Sequence, residues 1–282
     1  MAALHALRPA VGGIVRNPIL LLVTALYGLA QAPNFLVPST RPGLAAVASL
    51  VTFGVLILAL PFFQGGLLAM ASEAIEGRTG LGTLVAEGRE NYLSLLLAYL
   101  VLLAINFAFG FVGFMGALIA VVGGTATTAV AETPGFGVDP TVLAVLALVV
   151  AGLLLAYFLV AFAIQFYAHA IVLDDAELVD GFRRSVGLVR SNLVSVVGYT
   201  LVLLVGGVIL GTLAAVASVI LGPQSAGTAA TPLGGLVSVE PTLPVLVVVG
   251  VGYLLLTSAF GAFYATYSVA FYRGISGNDA SH

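Results

Sequence analysis

Long apolar stretches alternate with short polar segments along the whole chain. Six stretches contain no Asp, Glu, Lys or Arg, at about residues 18–32, 44–71, 91–122, 141–173, 193–221 and 243–272. A membrane helix needs roughly 20 apolar residues to cross a hydrocarbon core of about 30 Å. Five of the stretches reach this length, and the first is marginal. The pattern therefore predicts six transmembrane helices.

The polar segments that precede the odd-numbered stretches have apolar residues at helical spacing. The most charged of them, residues 174–192, places Phe182, Val186 and Val189 on one helical face. Residues 1–17 carry a comparable apolar stripe beside basic side chains. Helices of this kind lie in the plane of a membrane surface, with the apolar stripe in the acyl boundary.

We therefore expect a cytoplasmic interfacial helix before each odd-numbered span. The expected helices cover residues 1–17, 79–90 and 178–191. The second and third are expected to turn sharply into the next span at Asn91 and Asn192.

A repeat accounts for this alternation. The second and third units match at a constant offset of 101, in the pairs Gln64/Gln165, Glu73/Asp174, Glu76/Glu177, Gly80/Gly181 and Ser94/Ser195. The alternative is that any cytoplasmic approach to a membrane helix combines an amphipathic turn, an arginine and a polar cap. The repeat predicts one all-α membrane domain over residues 1–282, in which each hairpin of two spans follows an interfacial helix. Its units cover about residues 1–72, 73–173 and 174–273.

Composition agrees with a membrane protein and excludes several classes of function. Hydrophobic residues make up 61% of the chain and charged residues 7%, which leaves too little polar surface for a soluble fold. The absence of cysteine excludes disulfides, thiolate metal sites and cysteine nucleophiles. A net charge of −3 with scattered arginines offers no surface for nucleic acid. We expect no cofactor.

The arginines predict the orientation in the cell membrane. With six spans, one side of the membrane holds eight of the nine basic residues, and the other side holds only Arg41. The positive-inside rule then places both termini in the cytoplasm. An alternative for the N-terminus is a secretory signal peptide that ends at Ala30-Gln31-Ala32, although Pro33 would follow the cleavage site.

Four polar side chains within the spans are the candidate site. Gln64 and Gln165 occupy equivalent places in the repeat, and His169 lies one turn after Gln165 on the same face, so these three are predicted to approach one another. Asn106 lies near the middle of the third stretch. Such residues either bond neighbouring helices together or line a path for a polar ligand.

Other residues suggest contacts with lipid or with a second subunit. The interfacial arginines are candidates for lipid headgroup contacts, namely Arg89, Arg183, Arg184 and Arg190. Glycines at 110, 113 and 116, and at 207 and 211, form small helix faces. These faces allow close packing either inside one chain or in a homo-oligomer.

One element in the most charged segment supports a family resemblance. It consists of Asp175, Gly181, Ser185 and Arg190-Ser191-Asn192, and the last span adds Thr266-Tyr267 and Tyr272-Arg273. The alternation of paired spans with this element resembles uncharacterised prokaryotic (haloarchaeal-type) multi-pass proteins related to the membrane domain of glycerophosphoryl diester phosphodiesterases. No soluble segment corresponds to their catalytic domain. The resemblance implies a membrane fold and no enzyme activity.

Taken with the absence of catalytic triads or phosphate loops, these features predict a non-enzymatic multi-pass membrane protein. It would bind membrane lipids or a membrane protein partner, or act structurally. The alternative function is a small-molecule transporter or channel with a polar path through Gln64, Asn106, Gln165 and His169. No acidic residue lies within a span, which argues against an ion-coupled pump.

Overall fold

The computed structural model describes residues 2–30, 42–128, 140–221 and 242–279, and these residues form helices and no strand. The helices are α1 (Ala2–His5), α2 (Leu7–Arg16), α3 (Ile19–Ala30), α4 (Pro42–Glu76), α5 (Leu81–Glu90), α6 (Tyr92–Thr128), α7 (Pro140–Ile164), α8 (Tyr167–Leu173), α9 (Leu178–Ser191), α10 (Leu193–Leu221) and α11 (Leu243–Asp279). The predicted loops between paired spans lie mostly outside the described residues.

Among the described residues, five helical stretches are long and apolar enough to cross a membrane, which identifies a multi-pass membrane protein. They are Ser49–Glu76, Tyr92–Gly116, Ala144–Leu173, Leu193–Leu213 and Val247–Gly277. The predicted first span is different, because α3 has only 12 residues, which is about 18 Å of helix. Together with the segment Ala3–Arg16, bent from it by 89°, it forms a broken sixth candidate.

Several spans differ in extent from the prediction: α4 continues past residue 71 to Glu76, and α6 continues past residue 122 to Thr128. The stretch 141–173 is one apolar run in the sequence, but the helix is interrupted by a turn at Gln165 and Phe166. At the other end of the chain, α11 continues beyond the predicted limit at residue 272 as far as Asp279.

Helices form where the interfacial segments were predicted, and each ends at an asparagine. The Nδ2 atoms of Asn17, Asn91 and Asn192 each donate a hydrogen bond to the carbonyl four residues earlier, at 3.0, 3.3 and 3.3 Å. The backbone N–H of each asparagine bonds to the same carbonyl. The side chain and the backbone of one asparagine thus both bond a carbonyl in the last turn of the short helix, at the point where the span begins.

Each of these short helices packs against the end of an even-numbered span. α5 packs on α4, α9 packs on α7 and α8, and α2 packs on α11. Glycines allow the close approach in the first two cases: a Cβ atom on Gly88 would lie 2.8 Å from the Phe62 carbonyl oxygen, and one on Gly181 would lie 2.9 Å from Ile171.

The best-packed region lies at the end of the bundle that carries Ala3 and Arg273, which we call the terminal face. Here the ends of α4, α8 and α11 meet, and aromatic rings from α10, α11 and the break between α7 and α8 pack against one another. Phe271 stacks on Tyr199 with ring centroids 4.5 Å apart, and Phe166 lies 5.8 Å from Phe271. Towards the other end, large apolar side chains are exposed along the spans, as expected for surfaces that face lipid.

Candidate functional site

A cavity of about 770 Å³ lies among α3, α4, α6, α10 and α11. Its wall is formed by Val23, Thr24, Leu60, Phe63, Gln64, Leu67, Tyr99, Val202, Leu203, Gly206, Gly207, Leu210, Tyr253, Thr257, Phe260, Gly261, Phe263 and Tyr264. Five helices that are distant in the sequence therefore contribute to one space within the bundle.

The wall of the cavity is mostly apolar and carries no formal charge. None of the described residues that line it is Asp, Glu, Lys, Arg or His. The Thr24 and Thr257 hydroxyls donate to carbonyls of their own helices, those of Leu20 and Tyr253, at 2.9 Å in each case. These donors are already satisfied, so the cavity favours an apolar occupant.

Gln64 is the one member of the predicted polar cluster that lines this cavity. Its amide group lies beside the Tyr167 hydroxyl. Its Oε1 atom is buried and has no hydrogen-bond partner among the described residues.

His169 lies in a different environment, inside the aromatic cluster of the terminal face. It is 5% exposed, and its ring stacks on Tyr272 with centroids 5.3 Å apart. Neither ring nitrogen has a hydrogen-bond partner in the described part of the chain. The surroundings are those of a packed side chain, with Phe166 as a second aromatic neighbour.

Gln165 lies at the helix break, and its Nε2 atom donates to the Phe162 carbonyl of the same helix at 3.0 Å. The break itself is held by Ser185 of α9. The Ser185 Oγ atom accepts a hydrogen bond from the Phe166 N–H and donates one to the Ala163 carbonyl, both at 3.0 Å. A side chain from another helix thus replaces the helical partners of these two groups.

Asn106 is exposed and joins α6 to α7. Its Nδ2 atom donates to the Leu102 carbonyl at 2.8 Å, and its Oδ1 atom accepts a hydrogen bond from the Tyr157 hydroxyl at 3.0 Å. This is the helix-bonding role, one of the two open for a polar residue within a span.

Across the described residues, no hydrogen bond joins any two of Gln64, Asn106, Gln165 and His169. The contact that Gln64 makes is with Tyr167, which the sequence reasoning did not single out. The sequence pattern also did not predict that Ser185 bonds the backbone at the helix break, although this serine is part of the element that supports the family resemblance.

The predicted headgroup arginines fall into two groups. Arg184 forms an ion pair with Asp174 at 3.1 Å, and Arg183 forms one with Asp180 at 3.4 Å. Arg89 and Arg190 are exposed and form no salt bridge within the described residues. The second group is therefore free to contact a ligand outside the chain.

Asp174 also fastens two spans together at the terminal face. Besides Arg184, its carboxylate accepts a hydrogen bond from the Tyr272 hydroxyl of α11. One residue further along α11, Arg273 donates to Ser72 and Glu76 of α4. The end of α11 is thereby bonded to the ends of both other even-numbered spans.

One carboxyl group outside the spans has a shifted pKa. Burial raises the pKa of Glu87 in α5, and the negative charges of Glu90, Asp175 and Glu73 raise it further. A hydrogen bond from Asn91 acts in the opposite direction. Within the described residues, no group of three His, Cys, Asp or Glu side chains could hold a metal ion.

The comparisons with known proteins leave the chemistry of these features open. No curated protein matches the chain, and no solved structure matches it. One family model matches residues 1–275, which is nearly the whole chain, and its description states no function. The chain thus belongs to the family described as Domain of unknown function (DUF7847).

Proposed function

We propose that this chain is a non-enzymatic membrane protein that binds membrane lipids through an interfacial collar. The collar consists of α2, α5 and α9, the short helices before the odd-numbered spans. A structural role, or the binding of a membrane protein partner, would use the same surface.

The observation that carries the proposal is the division of the N-terminal helical segment, α1 and α2, into two apolar faces. Its buried face includes Ala6 and Ala10 and packs against α11. On the opposite face, Leu4, Val11 and Val15 are 58%, 50% and 77% exposed. In water such a stripe would be unfavourable, whereas at a membrane interface it is buried among acyl chains.

The other two collar helices support the same orientation. Leu81 and Val85 of α5 and Val179 of α9 are exposed apolar residues beside packed faces. The unpaired Arg89 and Arg190 each lie just before the asparagine at which a span begins. We infer that both arginines lie at headgroup level, on the cytoplasmic side predicted from the arginine distribution.

A threefold repeat of interfacial helix and hairpin is part of the proposal. Two observations support it: the shared asparagine junctions, and the shared packing of each short helix on an even-numbered span.

The transporter or channel alternative has weaker support. A transporter or channel would require a polar path. Asn106, Gln165 and His169 do not line the cavity, and Gln64 lies in a cavity wall that is mostly apolar. We therefore favour lipid binding.

Measuring lipid retained by the purified protein tests the proposal. The chain is incubated in detergent with anionic and zwitterionic phospholipids, and the bound lipid is counted by native mass spectrometry. Arg89→Gln is expected to weaken retention of the anionic lipid by about fivefold, because one arginine near the surface contributes about 1 kcal/mol. Arg89→Lys keeps the positive charge, so this variant is expected to retain the anionic lipid as the unmodified chain does. Equal retention by Arg89→Gln and the unmodified chain would contradict headgroup binding at this position.

A further inference from the structure

We propose that the cavity among α3, α4, α6, α10 and α11 binds a hydrocarbon chain of a membrane lipid, tail first. This inference rests on the proposed function, since it requires a membrane around the bundle. It adds a specific site inside the protein to the surface contacts of the collar.

The space exists because of the glycine pair Gly206-Gly207 in α10. A Cβ atom on Gly206 would lie 3.0 Å from the Phe260 ring, so this glycine lets α11 approach closely. A Cβ atom on Gly207 would have no neighbour within 4 Å, although Gly207 lines the cavity. One glycine thus brings the helices together, and the next leaves the volume open.

The chemistry of the wall selects the occupant. A charged headgroup would find no counter-charge among the described wall residues, and burying an unpaired charge in an apolar space is strongly unfavourable. A hydrocarbon chain from the surrounding bilayer needs neither charge nor hydrogen bonds.

The size of the cavity is suited to a bound molecule. Its volume of about 770 Å³ lies within the range of roughly 300–1,000 Å³ that is typical of small-molecule pockets. Tyr264 of α11 remains 55% exposed on the wall, so a large aromatic surface is available for contact. The headgroup of the lipid would remain outside, at the bilayer surface.

The absence of tryptophan from the chain permits a direct test. Phe63→Trp places the only tryptophan on the cavity wall, and Phe158→Trp places one on an exposed face of α7. Each protein is reconstituted in vesicles of phosphatidylcholine brominated at the middle of its acyl chains, which quench tryptophan on contact. Both tryptophans are expected to be quenched.

Filling the cavity should then change the quenching of the tryptophan at position 63 but not that of the tryptophan at position 158. Gly207→Phe projects a ring into the cavity and is expected to remove most of the quenching at position 63 while leaving that at position 158 unchanged. Gly211→Phe is the matched control, because Gly211 also has open space around its Cβ position but does not line the cavity.

Two outcomes would overturn the inference: no quenching at position 63, or quenching there that Gly207→Phe leaves unchanged. Absence of quenching at position 158 would instead contradict the membrane setting on which the proposed function depends. Native mass spectrometry gives a second measurement, in which Gly207→Phe should retain one phospholipid fewer per chain than Gly211→Phe.

Discussion

Ser185 shows how one buried hydroxyl can determine the course of a membrane helix. Its side chain is fully buried, and it serves both the Phe166 N–H and the Ala163 carbonyl at the break between α7 and α8. Unpaired backbone groups are costly in an apolar environment. The break therefore depends on a residue from a different helix, α9.

We expect Ser185→Ala to destabilise the protein by about 1–3 kcal/mol, because it leaves a buried backbone donor and acceptor without partners. Thermal unfolding in a mild detergent measures the change. Ser191→Ala is the control, since the exposed Ser191 hydroxyl bonds only at the end of its own helix: it donates to the Gly187 and Leu188 carbonyls and accepts from the neighbouring Asn192 amide. Equal stability of the two variants would show that the hydroxyl is not needed at the break.

Glu87 makes the stability of the folded chain depend on pH, and the surroundings of its carboxyl group determine the sign of this dependence. Burial and the neighbouring acids raise its pKa in the folded chain above the ordinary value of 4.5. The folded state therefore holds this proton more tightly than the unfolded state does. Protonation adds stability as the pH falls through the folded pKa, and the gain is complete below the unfolded value.

Glu87→Gln should accordingly be more stable than the unmodified chain at pH 7, and the difference should vanish as the pH falls below about 4.5. Chemical unfolding at a series of pH values measures both curves, and their difference isolates Glu87 from the other carboxyl groups. A variant that is less stable than the unmodified chain at pH 7 would reverse the sign and contradict the argument.

At the scale of elements, the crossing of α4 and α5 depends on glycine. A Cβ atom on Gly66 would overlap the Leu84 carbonyl oxygen. We expect Gly66→Ala to force these helices apart and to cost about 1–3 kcal/mol. Gly82→Ala in α5, where the Cβ position is open, should instead stabilise the helix by about 0.5–1 kcal/mol. Differential scanning calorimetry on both variants would decide, and a stable Gly66→Ala protein would contradict the close crossing.

Residue patterns predicted the helices well and their contacts poorly, for physical reasons. Apolar runs and amphipathic periods are local, so α10, predicted over residues 193–221, is observed as Leu193–Leu221. The interruption at Gln165 and Phe166 is not local: residues 153–173 around it contain no proline, glycine or charged residue, and the hydroxyl that stabilises the turn comes from Ser185. The bend of 89° before α3 was likewise not among the predicted sharp turns.

The candidate site was harder to predict than the helices for a related reason. Gln64 and Gln165 match in the predicted repeat. Equivalent positions in two units determine how far along the bundle a residue lies, but not which neighbouring helix its side chain faces. Gln64 lies beside Tyr167, whereas the Gln165 amide bonds back to its own helix. The cavity arises from the absence of side chains at Gly206 and Gly207. Local sequence does not reveal that the space beside Gly206 is filled by the Phe260 ring while the space beside Gly207 stays open.

At the scale of the whole molecule, the orientation is testable because the chain has no cysteine. Six spans with both termini inside predict that Thr128→Cys and Thr228→Cys react with an impermeant thiol reagent in intact cells, while Ser276→Cys does not. Thr128 ends α6, Ser276 lies near the end of α11, and Thr228 lies outside the described residues. Lysed cells provide the control in which all three should react. Labelling of Ser276→Cys in intact cells would overturn the orientation.

The packing of α2 on α11 closes the proposed repeat into a ring. α5 and α9 each pack on the span that precedes them in the chain, but no span precedes α2 within residues 1–282. It packs instead on the last span, and the preceding α1 is bonded there too, because the Tyr267 hydroxyl donates to the Ala3 carbonyl at 3.1 Å. In the proposed repeat, each collar helix would then occupy an equivalent place.

A circular permutant tests this closure. If the three units are equivalent, the chain can be opened between Gly77 and Arg78 and its original ends joined by a flexible linker, so that α5 becomes the first collar helix. Since α2 already packs without a covalent link to α11, we expect the permutant to fold and to unfold at nearly the same temperature. A permutant opened between Leu100 and Val101, inside α6, is the control and should be strongly destabilised. If the permutant opened at Gly77 is no more stable than this control, the collar helices are not interchangeable and the threefold arrangement is wrong.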